Sequence, residues 1–467
     1  MYSNITISDL VNWTGGSLSF CQDPSQIIHS ISTDTRTLKS GEVFIAIRGD
    51  NFNGHQFLHE AAKSGASLII SEEKGSGKAP ELIVKSSLHA FADIAKNIRQ
   101  KFAGPVVAIT GSAGKSSTKE MVATLLGENT VKSPASFNNL LGVSKTLCLI
   151  QDQTKKVVLE MGMNNFFEIK EMCEYFEPNF GAITNIGDAH IGKLGGQEGI
   201  FLAKKEMFDW LAKNPLSQGV ALNLDDAFVV KAYKESFGKY KNTVTYSTHS
   251  NANADVTLIS QEIDSTNAQL KLSLKIFKDW VDVSLPLFGF HHSSNLLSAI
   301  SIVTLMGVSI NEIKQRISKI LPATHRGVIT QLSGGRVLID ESYNSNPSAL
   351  TSSLQSLAGI SWKGRVVLVI GQMNELGDFS ESKHREAGEQ ILQNFGSRND
   401  LMLISVGKEC YHLVEAVKKA KSHWEIKSFA NVTELIPVYA SLLKQNDLVY
   451  IKGSNGVKLF ELVDKIN

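Results

Sequence analysis

The segment 106–118, with the sequence VVAITGSAGKSST, constrains the fold of this chain more than any other part of it. Apolar residues 106–109 predict a buried strand, and the apolar spacing after Lys115 predicts an amphipathic helix. A glycine turn between a strand and a helix directs backbone N–H groups and the positive end of the helix dipole at an anion. The segment therefore predicts a phosphate-binding loop in an α/β fold, although an ordinary glycine-rich turn has the same local pattern.

Two side chains of this loop have chemistry that suits a nucleotide triphosphate. Lys115 can neutralise phosphate charge, and the Ser116 hydroxyl can bind the magnesium ion that accompanies the phosphates. The spacing departs from the common nucleotide loop, which would have a glycine at the position of Ile109. The other loop residues predicted to contact the nucleotide are Gly111, Ser112, Ala113, Gly114 and Ser117.

The composition of the chain excludes several classes of partner. It has 467 residues, of which 42% are hydrophobic and 20% charged, and its formal net charge is +1. This balance gives no support for nucleic acid or a membrane surface as a partner. The sequence has neither a signal pattern nor a membrane-length apolar run, so we expect no membrane span. The cysteines have no paired spacing, which argues against zinc sites and disulfides and favours a cytoplasmic protein; they are Cys21, Cys148, Cys173 and Cys410.

The apolar patterns divide the chain into three blocks, 1–102, 103–321 and 322–467. In the second and third blocks, short apolar runs alternate with helical patterns, which is typical of mainly parallel sheets covered on both faces. Between residues 255 and 285, polar and apolar residues alternate, which predicts an antiparallel insertion. We therefore predict an α/β protein with a smaller first domain and two doubly wound domains.

Two polar residues that follow strands of the second block are candidate metal ligands. Glu160 closes the apolar run 157–159, and His190 follows the run 183–186. The C-terminal ends of parallel strands meet at one edge of a sheet, so we expect both side chains near Lys115. A hydroxyl, a carboxylate and an imidazole can complete a magnesium shell. A solvated strand-end acid and a loop histidine bonded to backbone are the alternatives.

Five motifs follow one another along the chain: 110–118, 136–139 (SFNN), 160–162 (EMG), 184–185 (TN) and 289–295 (GFHHSSN). Their order resembles that of the Mur ligases, a family of ATP-dependent ligases of peptidoglycan synthesis. The resemblance spans nearly the whole chain. It implies a three-domain architecture, with a small α/β N-terminal domain for a UDP-linked precursor, a central ATPase-like domain with the phosphate loop, and a Rossmann-like C-terminal domain for the incoming amino substrate.

Three further features resemble the branch of the family that adds a dipeptide. They are 34–36 with 49–55, the run 340–347 (DESYNSNP), and 375–377 with His384. The branch that adds the third residue carries an Asp/Asn-Asn/Asp-Pro-Arg signature, which we do not find in this sequence. The resemblance implies that a monomer joins D-alanyl-D-alanine to UDP-N-acetylmuramoyl-tripeptide, using ATP and an acyl-phosphate intermediate. Diaminopimelate and lysine are both open as the third residue of that peptide.

The resemblance also implies two magnesium ions. Ser116 and Glu160 would hold the first ion, and His190 and Lys204 the second. Lys204 matches the lysine that the family carries as a carbamate, since adding carbon dioxide turns an amine into a carboxylate-like ligand. Lys205 is the alternative site of this modification, and on sequence alone a solvated helix lysine is the alternative interpretation of Lys204. The catalytic residues implied are Lys115, His190 and Lys204.

Further contacts with the nucleotide and the other substrates follow from the same resemblance. Family members usually have asparagine after the motif histidine, where this chain has His292, and arginine where it has Asn455. The nucleotide contacts implied outside the loop are His291, Asn295, Arg326 and Asp340. The substrate contacts implied are Thr35, Arg36, Asn53, Gly54, His55, Asn138, Asn139, Asn344, Asn346 and Pro347. Caps, turns and a surface ion pair are the alternatives for the first-block residues.

Two other classes of function are compatible with the phosphate loop. One is another ligase of the superfamily, either the enzyme that adds the third stem residue or a folylpolyglutamate synthase, but the run 340–347 argues against both. The other is a nucleotide-dependent regulator without synthetic chemistry. A regulator does not need the candidate second metal site at His190 and Lys204, and the sequence lacks the Asn-Lys-x-Asp motif that reads guanine.

Overall fold

The computed structural model describes residues 2, 4–19, 23–49, 52–77, 79–187, 194–238, 242–250, 252–264, 267–421 and 423–466. The candidate ligand His190 and Cys21 lie outside the described residues. Within these ranges, no helix is long and apolar enough to cross a lipid bilayer.

The first block contains a small, mainly parallel sheet. Its strands are β1 (Ser17–Leu18), β2 (Ile31–Ser32), β3 (Val43–Ile45), β4 (Arg48–Gly49), β5 (Phe52–Asn53), β6 (Leu68–Ser71) and β7 (Glu81–Ile83). They pair in the order β1, β7, β6, β3, β2, in which β1 is antiparallel to β7, while β4 and β5 form a separate ribbon. The α-helices are Ile7–Thr14, Leu58–Lys63 and Ser87–Lys101.

The central block is built on a larger sheet. Its strands are β8 (Val106–Thr110), β9 (Thr130–Lys132), β10 (Lys156–Glu160), β11 (Phe180–Ile183), β12 (Gly219–Asn223), β13 (Thr243–Ser247), β14 (Val256–Ile263), β15 (Leu270–Ile276) and β16 (Asp279–Leu285). The order is β16, β15, β14, β13, β12, β11, β8, β10, β9. Strands β8 to β14 are parallel, and β15 and β16 continue the sheet antiparallel, which confirms the predicted insertion. The α-helices are Lys115–Leu126, Leu140–Leu147, Glu168–Phe176, Gln197–Lys213, Ala227–Phe237, His291–Leu305 and Ile310–Arg316.

The third block has its own sheet. Its strands are β17 (Val328–Leu332), β18 (Arg336–Glu341), β19 (Val366–Gly371), β20 (Leu401–Val406), β21 (Glu425–Phe429) and β22 (Leu448–Lys452). They pair in the order β17, β18, β22, β19, β20, β21, and the edge strand β17 is antiparallel to β18. The α-helices are Pro347–Ala358, Ser380–Phe395, Cys410–Ala420, Val432–Leu442 and Phe460–Val463. The α/β prediction is confirmed, and the domain boundaries at 102/103 and 321/322 stay predictions.

Strand β8 lies between two hydrophobic cores. Val107 and Ile109 belong to a core that continues into the third block, whereas Val106 and Ala108 belong to a core that continues into the first block. Successive side chains of a strand point to opposite faces of the sheet, which produces this alternation. The loop after β8 is therefore held on a strand that is packed on both sides.

Arg99 joins the first block to the central block. It lies in helix Ser87–Lys101 and is buried. Its guanidinium donates to the carbonyl oxygens of Phe102 (2.9 Å) and Phe176 (3.0 Å) and to the side-chain oxygen of Asn179 (3.0 Å). The fork of donors on arginine satisfies several buried acceptors at once, which a shorter polar side chain does not do.

Candidate functional site

A cleft of about 500 Å³ lies where the loop after β8 faces the third block. The central block lines it with Ser112, Ala113, Gly114, Lys115, Ser116, Ser117, Ser136, Asn138, Glu160, His291 and Asn295. The third block lines it with His325, Arg326, Glu341, Tyr343, Asn344, Ser345, Asn346, Ala349, Asn374, Glu375, Leu376, Lys452, Ser454, Asn455 and Gly456. The cleft therefore brings together most of the predicted nucleotide contacts and residues from both blocks.

The two glycines of the loop are required by close contacts. Gly111 (φ +150°) and Gly114 (φ +81°) adopt backbone conformations that other residues rarely adopt. A Cβ on Gly111 would lie 1.9 Å from the Thr184 hydroxyl oxygen, and one on Gly114 would lie 2.2 Å from the Asn295 side-chain oxygen. The loop thus packs directly against the end of β11 and the start of helix His291–Leu305.

Asn185 fixes the shape of the loop. The backbone N–H of Ser112 donates to the Asn185 carbonyl (3.0 Å), and the N–H of Ala113 donates to the Asn185 side chain (2.9 Å). These two N–H groups are used within the protein. The first N–H groups of a helix have no partner inside the helix, so those at the start of Lys115–Leu126 are the donors that can face a phosphate.

Lys115 lies folded back over the loop. Its ammonium donates to the Gly111 carbonyl oxygen at 2.6 Å. Burial lowers the pKa of Lys115, the Glu160 carboxylate opposes this, and the Arg326 guanidinium lowers the pKa further. An anion in the cleft would stabilise the charged form of Lys115 and offset the repulsion between Lys115 and Arg326.

Glu160 is held in place by several donors. This residue ends β10 and is 1% exposed. The Ser116 hydroxyl donates to one carboxylate oxygen at 2.7 Å, and the Asn138 amide donates to the other at 3.0 Å. The buried Lys119 ammonium lies 3.7 Å from the carboxylate. A hydroxyl and an oriented carboxylate side by side form the kind of oxygen donor set that magnesium prefers.

The two candidate carbamate lysines differ in their surroundings. Lys204, in helix Gln197–Lys213, is 1% exposed, whereas Lys205 pairs with Asp209 at 2.8 Å. Burial lowers the pKa of Lys204 well below its ordinary value, and the positive charge of Lys115 lowers it further. The neutral amine is the form that reacts with carbon dioxide, so Lys204 has the environment that this modification requires.

The third block reaches the central block through Tyr343 and Arg326. The Tyr343 hydroxyl donates to the Ser136 hydroxyl oxygen at 2.6 Å. The Arg326 guanidinium lies 4.0 Å from the centre of the Tyr343 ring, and one of its nitrogens is 3.5 Å from the Ser136 oxygen. Two residues of the third block therefore converge on one hydroxyl beside the phosphate loop.

Glu341 is a second bridge between the blocks. His291 Nε2 lies 3.2 Å from one carboxylate oxygen; the other accepts the Tyr450 hydroxyl at 2.6 Å and lies 3.6 Å from the Lys452 ammonium. Burial alone would raise the pKa of Glu341, but Lys452 and the other partners lower it to about 2. The carboxylate, His291 and His292 are close enough to hold a cation. Lys452, however, already supplies positive charge at this place.

Known proteins match nearly the whole chain. Three family models match it: the Mur ligase middle domain at residues 109–303, the glutamate ligase domain at 325–455 and the Mur ligase family catalytic domain at 27–125. Two curated relatives, from Synechocystis sp. and Escherichia coli, are each 31% identical to it, over 94% and 98% of this chain and 92% and 98% of their own length. This chain belongs to the Mur ligase family. Both relatives are named UDP-N-acetylmuramoyl-tripeptide--D-alanyl-D-alanine ligase.

Solved Mur ligases share the fold. A crystal structure of MurF from Acinetobacter baumannii has a TM-score of 0.86 and 26% identity, and the match covers 99% of this chain and 98% of that one. A MurF ligase from Thermotoga maritima, solved in complex with ADP, has a TM-score of 0.76 and 23% identity, covering 94% of this chain and 97% of that one. The predicted three-domain Mur ligase architecture is therefore confirmed.

His292 follows His291 at the start of helix His291–Leu305. It is 1% exposed, and burial together with His291 lowers its pKa well below the ordinary value. Among the described residues, neither of its ring nitrogens has a hydrogen-bond partner. A Cβ on Gly327 would lie 2.8 Å from His292 Nε2, so the ring packs closely against the start of the third block. The imidazole is therefore neutral at pH 7.

Several predicted substrate contacts begin helices. The side chains of Asn139 and Asn346 accept N–H groups at the starts of helices Leu140–Leu147 and Pro347–Ala358. Pro347 occupies the first position of the second helix, where its missing N–H is tolerated. Asn138 and Asn346 line the cleft, as does Asn344, whereas Asn139 and Pro347 do not. All five stay predictions as substrate contacts.

Asp340 lies beside the cleft wall and not on it. Its carboxylate is buried, lies 2.7 Å from His325 Nδ1 and accepts the N–H of Ser342 at 2.9 Å. The next residue, Glu341, lines the cleft. Both oxygens of Asp340 are used within the third block, so its contact with a nucleotide stays a prediction.

The first-block residues do not reach this cleft. Arg36 is 84% exposed at its side chain and pairs with Asp34 at 2.6 Å, which lowers the pKa of Asp34 to about 2. His55 is buried, and its Nε2 accepts the N–H of Glu72 at 3.0 Å. Its Nδ1 lies 3.1 Å from the Asn53 side-chain oxygen, so the imidazole is used within the fold. The predicted contacts Thr35, Arg36, Asn53, Gly54 and His55 stay predictions.

Several residues of the cleft had no predicted role in the site, although three of them lie in the motifs 136–139 and 340–347. Among them are Ser136, His325, Glu341, Tyr343 and Lys452. Glu341 and Lys452 are the last residues of β18 and β22 and are opposite each other in the sheet. Their position at the C-terminal ends of predicted strands is the signal that could have identified this pair.

Proposed function

We propose that this Mur ligase joins D-alanyl-D-alanine to UDP-N-acetylmuramoyl-tripeptide at the expense of ATP, giving the pentapeptide precursor, ADP and phosphate. The observation that carries the proposal is the cleft itself, in which a phosphate loop of the central block faces a polar wall of the third block. The names of relatives that match nearly the whole chain support the choice of substrates. A reaction that consumes ATP suits the cytoplasm, which we propose as its location.

The reaction needs a carboxylate to become a good electrophile. Transfer of the γ-phosphoryl group of ATP to the terminal carboxylate of the tripeptide forms an acyl phosphate. The free amine of the dipeptide attacks its carbonyl carbon, and the tetrahedral intermediate collapses to an amide and phosphate. Lys115 and the N–H groups at the start of helix Lys115–Leu126 would hold the phosphates and neutralise their charge, which is the main requirement of phosphoryl transfer.

Ser116 and Glu160 would hold a magnesium ion beside the phosphates. The two side chains are 2.7 Å apart and buried at the end of the cleft, and their oxygen atoms suit a hard cation. When bound, the ion would withdraw charge from the phosphate oxygens and align them for transfer. Asn138 and Lys119 would keep the carboxylate oriented through the contacts that they make to it.

Lys204 is proposed as a carbamate ligand of a second magnesium ion, together with His190. Its burial and its lowered pKa support the proposal, because they favour the neutral amine that adds carbon dioxide. The carbamate would place a negative charge near the positive charge of Lys115. Lys205 lacks these features because it is already paired with Asp209.

The remaining walls would bind the organic parts of the substrates. We propose that the nucleotide is surrounded by the loop residues 111–117 together with His291, Asn295, Arg326 and Asp340. The dipeptide would be bound by Asn344, Asn346 and Pro347. Asn138 and Asn139 would contact the acceptor peptide. The first-block group Thr35, Arg36, Asn53, Gly54 and His55 would hold the uridine diphosphate end of the precursor. Third-block residues would close the cleft over the acyl phosphate and exclude water.

Phosphate release from ATP tests the proposal. Purified protein is given ATP, magnesium, UDP-N-acetylmuramoyl-tripeptide and D-alanyl-D-alanine, with parallel reactions that omit each substrate, and the product is identified by mass. We expect release only when both substrates are present, and at least 100-fold less with Lys115→Ala. Release with a single amino acid or glutamate in place of the dipeptide would indicate a sister ligase. Release that ignores both substrates would indicate a regulator.

A further inference from the structure

One hydrogen bond ties the turn after β18 to the segment after β9. The Tyr343 hydroxyl donates to the Ser136 hydroxyl oxygen at 2.6 Å, across 207 residues of sequence. The two hydroxyl groups no longer form a hydrogen bond once the distance between their oxygens increases by about 1 Å. Because Tyr343 belongs to the third block and Ser136 to the central block, this bond exists only when the two blocks are this close.

The Ser136 hydroxyl, which accepts this bond, lies next to the proposed magnesium ligands Ser116 and Glu160. The Ser136 oxygen is 3.5 Å from the Ser116 hydroxyl oxygen, and Ser116 in turn donates to Glu160 at 2.7 Å. Since the Ser116 proton goes to Glu160 and the Ser136 oxygen accepts from Tyr343, Ser136 is the hydroxyl that can turn its proton toward Ser116 across this 3.5 Å separation. A line of hydroxyls therefore runs from the third block to the buried carboxylate, and Tyr343 orients the Ser136 hydroxyl within it.

The aromatic ring of Tyr343 is held separately from its hydroxyl. The Arg326 guanidinium lies 4.0 Å from the ring centre, which is a cation–π distance. The Arg326 side chain also reaches Ser136 at 3.5 Å. Replacing the tyrosine by phenylalanine keeps the ring and this contact and removes only the hydroxyl, so the two contributions can be separated.

We infer that Tyr343 is a positioning residue whose hydroxyl, through Ser136, sets the Ser116 hydroxyl for magnesium when the third block meets the central block. The inference rests on the proposed function, since it assumes that Ser116 and Glu160 hold magnesium beside a nucleotide. It assigns no contact between Tyr343 and the reacting atoms. The closing of the cleft and the strength of metal binding would then be coupled through one hydrogen bond.

Binding of ADP with and without magnesium tests this coupling by calorimetry, independently of turnover. The measured quantity is the factor by which magnesium tightens ADP binding. A net hydrogen bond is worth about 0.5–1.5 kcal/mol, so we expect Tyr343→Phe to lower this factor about two- to tenfold. We expect Ser136→Ala to lower it at least as much, and the double variant to lower it no further than Ser136→Ala alone. ADP binding without magnesium should stay the same.

Tyr411→Phe is the matched control. Tyr411 is exposed on helix Cys410–Ala420 and donates to Glu415 at 3.2 Å, so the variant removes a tyrosine hydroxyl bond far from the cleft. The inference is overturned if Tyr343→Phe keeps the full magnesium effect, if the effects of the two single variants multiply in the double variant, or if ADP binding weakens equally without magnesium. A wild-type protein that binds ADP and ligates would leave the proposed function standing in each of these cases. A wild-type protein that does neither would refute both.

Discussion

Glu341→Gln removes one charge from the buried contact between the central and third blocks. The carboxylate is 3% exposed and lies beside Lys452, and its pKa of about 2 compares with an ordinary value of 4.5. This difference corresponds to about 3 kcal/mol of stabilisation at pH 7. Glutamine has nearly the same volume as glutamate, so the variant creates no cavity. The change in stability then reports the effect of the charge alone. We expect its free energy of unfolding at pH 7 to fall by about 3 kcal/mol.

The pH dependence gives this prediction its direction. A carboxylate with a lowered folded-state pKa stabilises the protein above its ordinary pKa, and this contribution is lost as the pH falls through the folded-state value. The ordinary pKa of Glu341 is 4.5 and its pKa in the folded protein is about 2. Its contribution to the free energy of unfolding should therefore shrink to about 1 kcal/mol at pH 3. The difference between the wild-type and Glu341→Gln proteins should shrink by about 2 kcal/mol between pH 7 and pH 3.

Equilibrium urea unfolding, followed by tryptophan fluorescence at both pH values, measures this difference. The third block contains Trp362 and Trp424, which report on its unfolding. Glu415→Gln is the matched control, because Glu415 is an exposed carboxylate that also accepts a tyrosine hydroxyl. It should change stability by less than about 0.5 kcal/mol at either pH. A Glu341→Gln effect that is equally large at pH 7 and pH 3 would refute the reasoning.

Three further predictions concern the metal site and the contact between the first two blocks. Asn138→Ala removes the amide that donates to Glu160, so the apparent affinity for magnesium in phosphate release should fall about 10- to 100-fold; an unchanged magnesium titration would contradict the proposed site. We expect bicarbonate to stimulate the wild-type protein near pH 7, because the lowered pKa of Lys204 keeps its amine neutral at a lower pH than in an ordinary lysine, and we expect Lys204→Gln to abolish this stimulation. Lys205→Gln should keep that stimulation. Loss of the stimulation in Lys205→Gln would instead assign the carbamate to Lys205. Arg99→Met leaves buried acceptors without donors and should lower the free energy of unfolding by about 3 kcal/mol without changing kcat; stability equal to that of the wild type in urea would show that water replaces the guanidinium.

The sequence predicted the phosphate loop because its signals are local. Five buried residues in a row, Val106–Thr110, precede a glycine turn, and the helix begins at Lys115 as the spacing predicts. The position of Glu160 near the loop could be predicted for the same reason, since it ends a strand that is parallel to β8. The apolar run of a strand, the glycine turn after it and the end of the strand can all be recognised in one short segment of sequence, without knowledge of what packs against that segment.

The third-block wall of the cleft could not be predicted in this way. Asp340 and Glu341 are the last two residues of β18, and the family resemblance implied only Asp340 as a nucleotide contact, yet successive residues of a strand face opposite sides. Which of the two faces the cleft depends on how β18 packs, and Glu341 is the residue that meets His291. Tyr343 and Ser136 are separated by 207 residues, so only their meeting in space gives them a role.

Polar residues in a motif can also stabilise the fold, so a motif match alone does not establish that a residue contacts a substrate. Asn346 caps the helix Pro347–Ala358, and His55 bonds within the first block, although both match positions expected to contact substrates. A cap and a ligand contact both need a short polar side chain at the end of an element, so the same residue type satisfies either requirement. A substitution at such a position tests binding only if stability is measured beside it.

The arrangement of the sheets explains why the chemistry is divided between two blocks. Glu160 ends β10 in the central sheet, and Glu341 and Lys452 end neighbouring strands in the third sheet. The C-terminal edges of both sheets therefore face the same cleft, which is where parallel α/β sheets place their functional loops. Each edge carries only part of the polar groups, so neither block can surround a nucleotide alone. The contacts that join the edges, Tyr343 with Ser136 and Glu341 with His291, should then affect both stability and nucleotide binding.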